Sequence, residues 1–468
     1  MKLIKALTLI PLFVLLVACA APTPSPTLTP TPTPDIAPAL SKAAQLAEAR
    51  QYSAAIAALQ DAAQLNANNP QPIVEIGNIT LKQHRWELAQ QAFEEALDLQ
   101  PDNYDAAIGL GEALLGQGKT HQAKDIWRKA IDLDDARFEG YLGLGKSLLA
   151  TRKFNEAQQA FADALKRSPK NSQALWYLAA LALPADAPAG EAWLRQIDPP
   201  TATGDYLLAT LDALPDNAPQ AQTATLVGIA LTQLAEWELA LRALETATQL
   251  DPNNATAWAF LGYTQASLGL PALDSLDRAA ELEPDSALPL YFKGVYLRQK
   301  EHYDLAIDYF LKAIELDPGN IGVMLETART LADKGDYLSA EAWYRTIAES
   351  DPDSVEYQQQ LTEFFVTRSY RIAEKGLPEA EGLVKLAPDN ARAFDLLGWA
   401  KFQTGDFSGA EESLRLAADL APNDVAIRYH LGKTLKALHK NVDAQIEFQH
   451  ALDWDTSGTY RKAVKSEK

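Results

Sequence analysis

Small and large apolar residues recur along this chain at a fixed spacing. Gly77 is followed by Ala89, Phe93, Ala96 and Pro101, at intervals of 12, 4, 3 and 5 residues. The same intervals occur at Gly145, Ala157, Phe161, Ala164 and Pro169; at Gly228, Ala240, Leu244, Ala247 and Pro252; at Gly294, Ala306, Phe310, Ala313 and Pro318; and at Gly398, Ala410, Leu414, Ala417 and Pro422. Segments at Gly111 and Gly432 keep the first four positions. This self-similarity predicts a stack of repeated units.

The spacing inside each unit is that of two helices. Positions three and four residues apart lie on one helical face. The Ala, aromatic and Ala positions of each unit therefore form one apolar stripe on its second helix. Gly and Ala permit a close helix crossing, and the closing Pro ends the second helix because it lacks an N–H and has a fixed φ. We count 12 units of about 34 residues, starting near residues 36, 70, 104, 138, 172, 221, 255, 287, 321, 355, 391 and 425.

This pattern resembles that of the tetratricopeptide repeat family, whose units carry Gly, Ala, an aromatic, Ala and Pro at these positions. The resemblance covers nearly all of residues 36–458. It implies an all-α fold, with helix–turn–helix units stacked into a right-handed superhelical solenoid. Six prolines interrupt the pattern in 184–220. We therefore expect a first arm at 36–183, an irregular Pro-rich joint at 184–220 with one helix over 205–214, a second arm at 221–458, and a polar C-terminal tail at 459–468.

The first 18 residues follow a different pattern. Lys2 and Lys5 precede an apolar run over 7–18 that is short for a membrane span, as is typical of a secretory signal peptide over residues 1–18. The run ends in Leu-Val-Ala before Cys19, which is the only cysteine in the chain. This ending resembles the lipobox of bacterial lipoproteins and implies that the Cys19 thiol is lipidated. Ordinary signal cleavage nearby is the alternative.

Residues 19–38 would then form a Pro/Thr-rich linker after the lipidated cysteine. Alternating prolines favour extended polyproline II over helix or sheet. We expect the protein to be extracytoplasmic and lipid-anchored to the bacterial membrane, within the cell envelope.

Composition and motifs argue against several other functions. The formal net charge of −20 disfavours nucleic acid as a partner, because phosphate binding needs clustered cations. Residues 140–147 match the phosphate-binding pattern G-x-x-x-x-G-K-S. That pattern needs a strand, a loop and then a helix, whereas Gly145 here is the repeat glycine of a helix, so we expect no nucleotide binding. The six histidines show no compact metal-ligand spacing. We expect no cofactor, no metal and no enzymatic activity.

In the family that this chain resembles, peptides and partner helices bind the concave wall, which the first helix of each unit supplies. Carrying over the repeat phase predicts inward-facing residues next to each repeat glycine and three or four residues from that position. In the second arm these are Tyr263, Tyr291, Arg298, Arg329, Trp399, Phe402, Tyr429, Lys433 and Lys436. In the first arm they are Asn78, Glu112, Lys146 and Trp176. Each of these side chains could instead pack between units, as aromatic residues commonly do.

The sequence therefore predicts a non-enzymatic scaffold or assembly factor, anchored in the bacterial cell envelope, that binds peptides or partner proteins in its concave groove. The alternative is an extracytoplasmic protein that binds glycans or small ligands through the groove aromatics.

Overall fold

The computed structural model describes residues 35–215 and 217–467, and every regular element in these ranges is helical. The signal peptide, Cys19 and the linker up to residue 34 lie outside the described residues. Consecutive helices pair as antiparallel neighbours, and the described chain contains 12 such pairs. The pairs begin where the repeat phase predicts.

The first five pairs comprise α1 to α10. Their bounds are α1 Ala37–Glu48, α2 Tyr52–Leu65, α3 Gln71–Lys82, α4 Trp86–Leu99, α5 Tyr104–Gly116, α6 Thr120–Leu133, α7 Glu139–Ala150, α8 Phe154–Arg167, α9 Ser172–Ala182 and α10 Ala187–Leu194. Residues 140–147, which match the phosphate-binding pattern, lie wholly inside α7, so their backbone is helical.

The Pro-rich joint contains two helices where the sequence predicted one. The first, α10, is the shortened second helix of the fifth pair and follows the cap formed by the Asp186 side chain. The second, α11 at Ala202–Asp212, corresponds to the predicted helix over 205–214. Helix α10 was missed because it has only eight residues and contains Pro188 in its first turn, with Pro184 before it and Pro199 after it.

The remaining seven pairs comprise α12 to α25. Their bounds are α12 Gln220–Gln233, α13 Trp237–Leu250, α14 Ala255–Ser267, α15 Leu273–Leu282, α16 Ala287–Gln299, α17 Tyr303–Leu316, α18 Ile321–Lys334, α19 Tyr337–Ser350, α20 Val355–Thr367, α21 Leu377–Leu386, α22 Ala391–Gln403, α23 Phe407–Leu420, α24 Val425–Ala437 and α25 Asn441–Trp454. A π-helical turn, Ile372–Gly376, precedes α21.

The expected polar tail contains a short helix, α26, at Arg461–Glu467. Its Val464 is fully buried against the last helix pair. One apolar residue in a charged segment gave too weak a periodic signal to predict this helix. The helix covers the apolar end of the array, which would otherwise face water.

Polar side chains at several junctions cap the start of the following first helix. In the Asp-Pro-Asn-Asn junction at 251–254, the Asn254 side chain accepts a hydrogen bond from the Ala257 backbone N–H at 2.9 Å. Asn103, Asn171 and Asn320 cap α5, α9 and α18 in the same way. Each cap satisfies one of the backbone donors that a helix start leaves unpaired.

The repeat glycines leave room for the large side chain of the second helix. A Cβ atom placed on Gly77 would lie 2.6 Å from the ring of Phe93, and one on Gly145 would lie 2.5 Å from Phe161. The Phe93 ring also lies against Gly109 of the next unit. Each such ring therefore packs against glycine and joins neighbouring first helices.

The core continues through the boundary between the two predicted arms. One cluster of buried side chains extends from Leu142 to Ala243 and includes Leu183, Leu194 and Leu207 of the joint region. Helix α13 also contacts α7 and α9 directly. The joint is thus packed into the array by apolar side chains on both of its sides.

Gly294→Leu should destabilise the second arm by about 3 kcal/mol, because the added side chain would collide with the Phe310 ring at a close helix crossing. Since repeat arrays couple mainly to nearest neighbours, amide hydrogen exchange should show lost protection around 255–354 and retained protection at 70–170. Gly382→Leu is the matched control, because a Cβ atom on this helical glycine meets no neighbour within 4 Å. Loss of protection across the whole chain in Gly294→Leu would contradict this local effect.

Candidate functional site: the concave wall

One face of the array is formed by first helices alone. Helix α14 contacts both α12 and α16, α16 contacts α18, and α22 contacts both α20 and α24. Successive first helices approach each other more closely than successive second helices do, so the face that they form is the concave one. We call the side chains on this face of α14, α16, α18, α20, α22 and α24 the second-arm wall.

All nine residues that the repeat phase predicted for the second arm lie on first helices. Eight of their side chains are partly exposed, and Lys436 is exposed. The structure does not gather them into one patch. It divides them into four neighbouring groups, each held by residues of the chain itself.

Tyr263 and Tyr291 form the first group, and both pack against Phe292. The rings of Tyr263 and Phe292 stack with centroids 4.6 Å apart and an interplanar angle of 11°. Tyr291 lies 5.4 Å from the Phe292 ring and 6.1 Å from that of Phe310. Burial raises the pKa of Tyr291 to about 12, and the nearby Glu326 carboxylate acts in the same direction. These tyrosines join α14 to α16 and present only part of each ring to the groove.

Arg298 and Arg329 form the second group, and both donate to Glu326. The two donor–acceptor distances are 2.5 Å for Arg298 and 2.8 Å for Arg329. Asp333 lies 3.6 Å from Arg298 and also pairs with Arg368. Arg298, Arg329, Asp333 and Arg368 line a cavity of about 340 Å³. The predicted cations of the wall are therefore already neutralised by neighbouring acids.

Trp399 and Phe402 form the third group, together with a histidine. The Trp399 ring stacks on Phe402 at 4.6 Å and on His430 at 4.2 Å, with interplanar angles of 8° and 15°. Asp395 is fully buried; its two oxygens lie 2.7 Å from His430 Nδ1 and 2.6 Å from Arg392 Nη1. Because a buried carboxylate is costly without partners, these two contacts hold the ring stack in place.

Tyr429, Lys433 and Lys436 form the fourth group, which contacts the C-terminal segment that contains α26. Both lysine ammonium groups donate to the Glu467 side chain, at 2.6 Å for Lys433 and 3.0 Å for Lys436. The Tyr429 ring lies 5.1 Å from that of Tyr460. The hydrogen bond from Lys433 holds the pKa of Glu467 below its usual range. Both lysines are therefore already paired with a carboxylate of the chain, so a partner that binds their ammonium groups must compete with Glu467.

The residues predicted for the wall of the first arm differ in how far they are buried. Burial lowers the pKa of Lys146, and the carboxylate of Glu112 opposes this shift. The Asn78 side-chain amide donates to Glu75 at 3.3 Å. Trp176 is 9% exposed and packs in the continuous core, so its predicted place on the wall is wrong.

Sequence reasoning missed the acids and the histidine that pair across the wall, namely Glu326, Asp333, Glu363, Asp395 and His430. A periodic signal was present. Arg298 and Asp333, Asp333 and Arg368, and Asp395 and His430 are each 35 residues apart, one repeat plus one residue. Oppositely charged or hydrogen-bonding residues at that interval meet on adjacent first helices.

Within residues 35–215 and 217–467, no group of three or more His, Cys, Asp or Glu side chains is placed to hold a metal ion. No helix in the same part of the chain is long and apolar enough to cross a membrane.

Family models match most of the repeat region. Two models, both described as Tetratricopeptide repeat, match the chain, one at residues 80–141 and 297–363 and the other at 142–205, 228–273, 271–321 and 373–425. Together these segments cover more than half of the chain.

Two curated proteins are similar over part of the chain. A TPR repeat-containing protein of Pseudomonas aeruginosa is 25% identical over 201 residues, which are 41% of this chain and 33% of that protein. The cell division cycle protein 16 homolog of Homo sapiens is 24% identical over 218 residues, 45% of this chain and 35% of that protein. The matched segment thus spans about a third of either relative's length.

Two solved structures align with most of the chain at low sequence identity. The yeast Tom70 crystal structure is 15% identical, covers 92% of this chain and 96% of its own, and has a TM-score of 0.41. The APC/C hetero-tetramer Cut9-Hcn1 is 14% identical, with coverage of 91% and 89% and a TM-score of 0.35.

Asp395→Ala should lower the free energy of unfolding by about 3 kcal/mol, because it leaves His430 and Arg392 without their shared acceptor. Urea unfolding followed by tryptophan fluorescence would measure this loss. Asp125→Ala is the matched control, since Asp125 and Arg128 form an exposed pair at 3.7 Å and such pairs contribute about 0.5 kcal/mol or less. Equal effects of the two substitutions would contradict the role assigned to Asp395.

Proposed function

The chain belongs to the tetratricopeptide repeat family, and we propose that it is a non-enzymatic interaction scaffold or assembly factor of the bacterial cell envelope. It binds peptides or partner proteins along the second-arm wall. The observation that carries this proposal is the row of partly exposed aromatic and charged side chains on successive first helices. Such a surface offers a partner many contacts at a regular spacing along an extended groove.

The ion pairs of the second-arm wall favour a partner that carries both charges. Arg298, Arg329 and Arg368 each have an acid beside them, so a partner gains little from a single charge of either sign. A segment with alternating acids and bases can replace each ion pair of the wall: its acids can pair with the arginines and its bases with the carboxylates. Ion pairs of this kind determine the position of the partner along the groove and its specificity more than they raise the affinity.

The ring contacts favour a protein partner over a sugar. Sugars bind proteins by stacking on an open aromatic face. Phe292 occupies one face of the Tyr263 ring, and Trp399 stacks on both Phe402 and His430, so little open ring face is left for a sugar. Peptide side chains can instead pack against ring edges and bind the polar groups between them.

The anchoring part of the proposal rests on the N-terminal sequence. We infer that the protein is exported, lipidated at Cys19 and held at the membrane, with its repeats in the extracytoplasmic space. The apolar run over 7–18 and the single cysteine at its end support this inference.

Replacing Arg329 and Trp399 together by Ala should abolish crosslinking of partners in intact envelopes, while helix content is unchanged. Each wall residue that acts as a hot spot contributes about 2 kcal/mol, or roughly 30-fold in affinity. The matched control replaces Leu338 and Val442, which are 71% and 77% exposed on second helices. Undiminished crosslinking in the folded Arg329–Trp399 variant, or equal loss in the control, would contradict the assignment of the wall.

Cys19→Ser should release the protein from the membrane fraction, because no acyl chain can be attached at this position. Fractionation with and without detergent would measure the change. A variant with Ser25→Ala, which lies in the same Pro/Thr-rich segment, should remain membrane-bound. Unchanged membrane association of Cys19→Ser would refute lipidation while leaving the scaffold proposal intact.

A further inference from the structure

The two ends of the array meet. Ser53 of α2 donates a hydrogen bond to Asp453 of α25 at 2.6 Å, and the Gln449 amide donates to Ser53 at 2.6 Å and to Asp453 at 3.1 Å. Ser53 and Asp453 are 400 positions apart in the sequence. The 12 helix pairs therefore close on themselves, and the first and last pairs share an interface.

Three arginines lie along this contact, which we call the closure interface and define by Arg50, Ser53, Gln83, Arg85, Gln449, Asp453, Trp454 and Arg461. The Arg50 guanidinium carbon lies 4.4 Å from the centroid of the Trp454 ring. Arg461 donates to the Gln83 backbone carbonyl at 3.3 Å and to that of Asp455 at 2.6 Å. Arg85 donates to the Gln83 side chain at 3.3 Å.

Two hydrogen-bond donors of the closure interface are buried without an acceptor. Gln83 is 1% exposed, yet its Nε2 atom has no acceptor among the described residues, and neither has the buried Nε atom of Arg85. Neither Arg85 nor Arg461 forms an ion pair with a carboxylate in the described ranges. Unpaired buried donors are costly, so this interface lacks an acceptor.

Two of these cations also repel each other. Burial lowers the pKa of Arg85, the positive charge of Arg461 lowers it further, and the carboxylate of Asp453 acts in the opposite direction. One oxygen of Asp453 already accepts from Ser53 and Gln449. The Asp455 carboxylate accepts backbone N–H groups of Gly458 and Tyr460. The acids nearby are thus largely occupied, although the chain as a whole carries a net charge of −20.

We propose that the closure interface binds a small tetrahedral oxyanion, of the phosphate or sulfate class, between Arg85 and Arg461, and that the bound anion holds the array closed. Guanidinium groups match such oxyanions in geometry as well as charge, since each can present two parallel N–H donors. The anion would neutralise the mutual repulsion of the two arginines and accept from the unpaired donors of Arg85 and Gln83.

Closure matters for the rest of the molecule because the two ends bound the space in front of the concave wall. With the ends joined, a partner reaches the wall only through the open sides of the ring or after the closure interface has separated. The anion would thereby regulate access to the wall. The anion site itself does not depend on the proposed scaffold function.

Inorganic phosphate is the probe, added to the full-length protein against chloride at matched ionic strength. Phosphate should slow amide hydrogen exchange at the facing ends of α2 and α25. At ten times its dissociation constant, it should favour the closed state roughly tenfold through binding linkage. Isothermal titration calorimetry would detect the same binding directly. Arg85→Gln and Arg461→Gln should each remove this phosphate response.

Lys462→Gln is the matched control, because Lys462 is an exposed cation on the same short helix and should leave the response unchanged. In chloride alone, Arg85→Gln should increase protection at the closure interface, since it removes the repulsion from Arg461. If Arg85 only stabilised the interface, Arg85→Gln would instead decrease amide protection there. The proposal is refuted if phosphate does not bind, if it binds Arg85→Gln as tightly as the natural chain, or if chloride gives the same protection.

Discussion

The packing of one large side chain against glycine determines most of this architecture. In each regular unit, a ring or Leu of the second helix lies where the Cβ atom of a first-helix residue would be, as Phe93 does against Gly77 and Gly109. The missing side chain lets first helices of neighbouring units approach each other, while the ring holds the second helices apart. Because first helices are spaced more closely than second helices in each unit, the stack of units curves.

The curvature has two consequences for function. It gathers the first helices into one concave wall, where residues one repeat apart form ion pairs, such as Arg298 with Asp333. It also brings the first helix pair to the last, where Ser53, Gln449 and Asp453 join the ends. The wall and the closure interface are therefore two results of the same packing. The irregular joint does not interrupt this curve, because Leu183, Leu194 and Leu207 place it within the shared core.

The helix pairs could be predicted from sequence because local rules determine them. The Gly–Ala–aromatic–Ala–Pro spacing and caps such as Asn254 depend on residues within one unit. The state of the wall could not be predicted in the same way. Whether Lys433 is available to a partner depends on Glu467, which belongs to a helix with only one buried apolar residue. Whether Trp176 is exposed depends on the continuous core around the joint, which is formed by side chains from several units. Contacts between distant units, as at Arg461 and Gln83, leave no periodic trace in the sequence.

The claim that unit packing closes the array can be tested by one distance. Spin labels at Ala54→Cys and His450→Cys, with Cys19→Ser, would be attached to exposed positions next to Ser53 and Gln449. Double electron–electron resonance should give a single narrow distribution at short distance, because the labelled helices are in contact. Enlarging Gly294 to Leu disturbs the curvature and should broaden this distribution towards longer distances. A broad distribution at long distances in the labelled chain with Gly294 unchanged would contradict closure. It would also contradict the conclusion that unit packing determines the shape of the array.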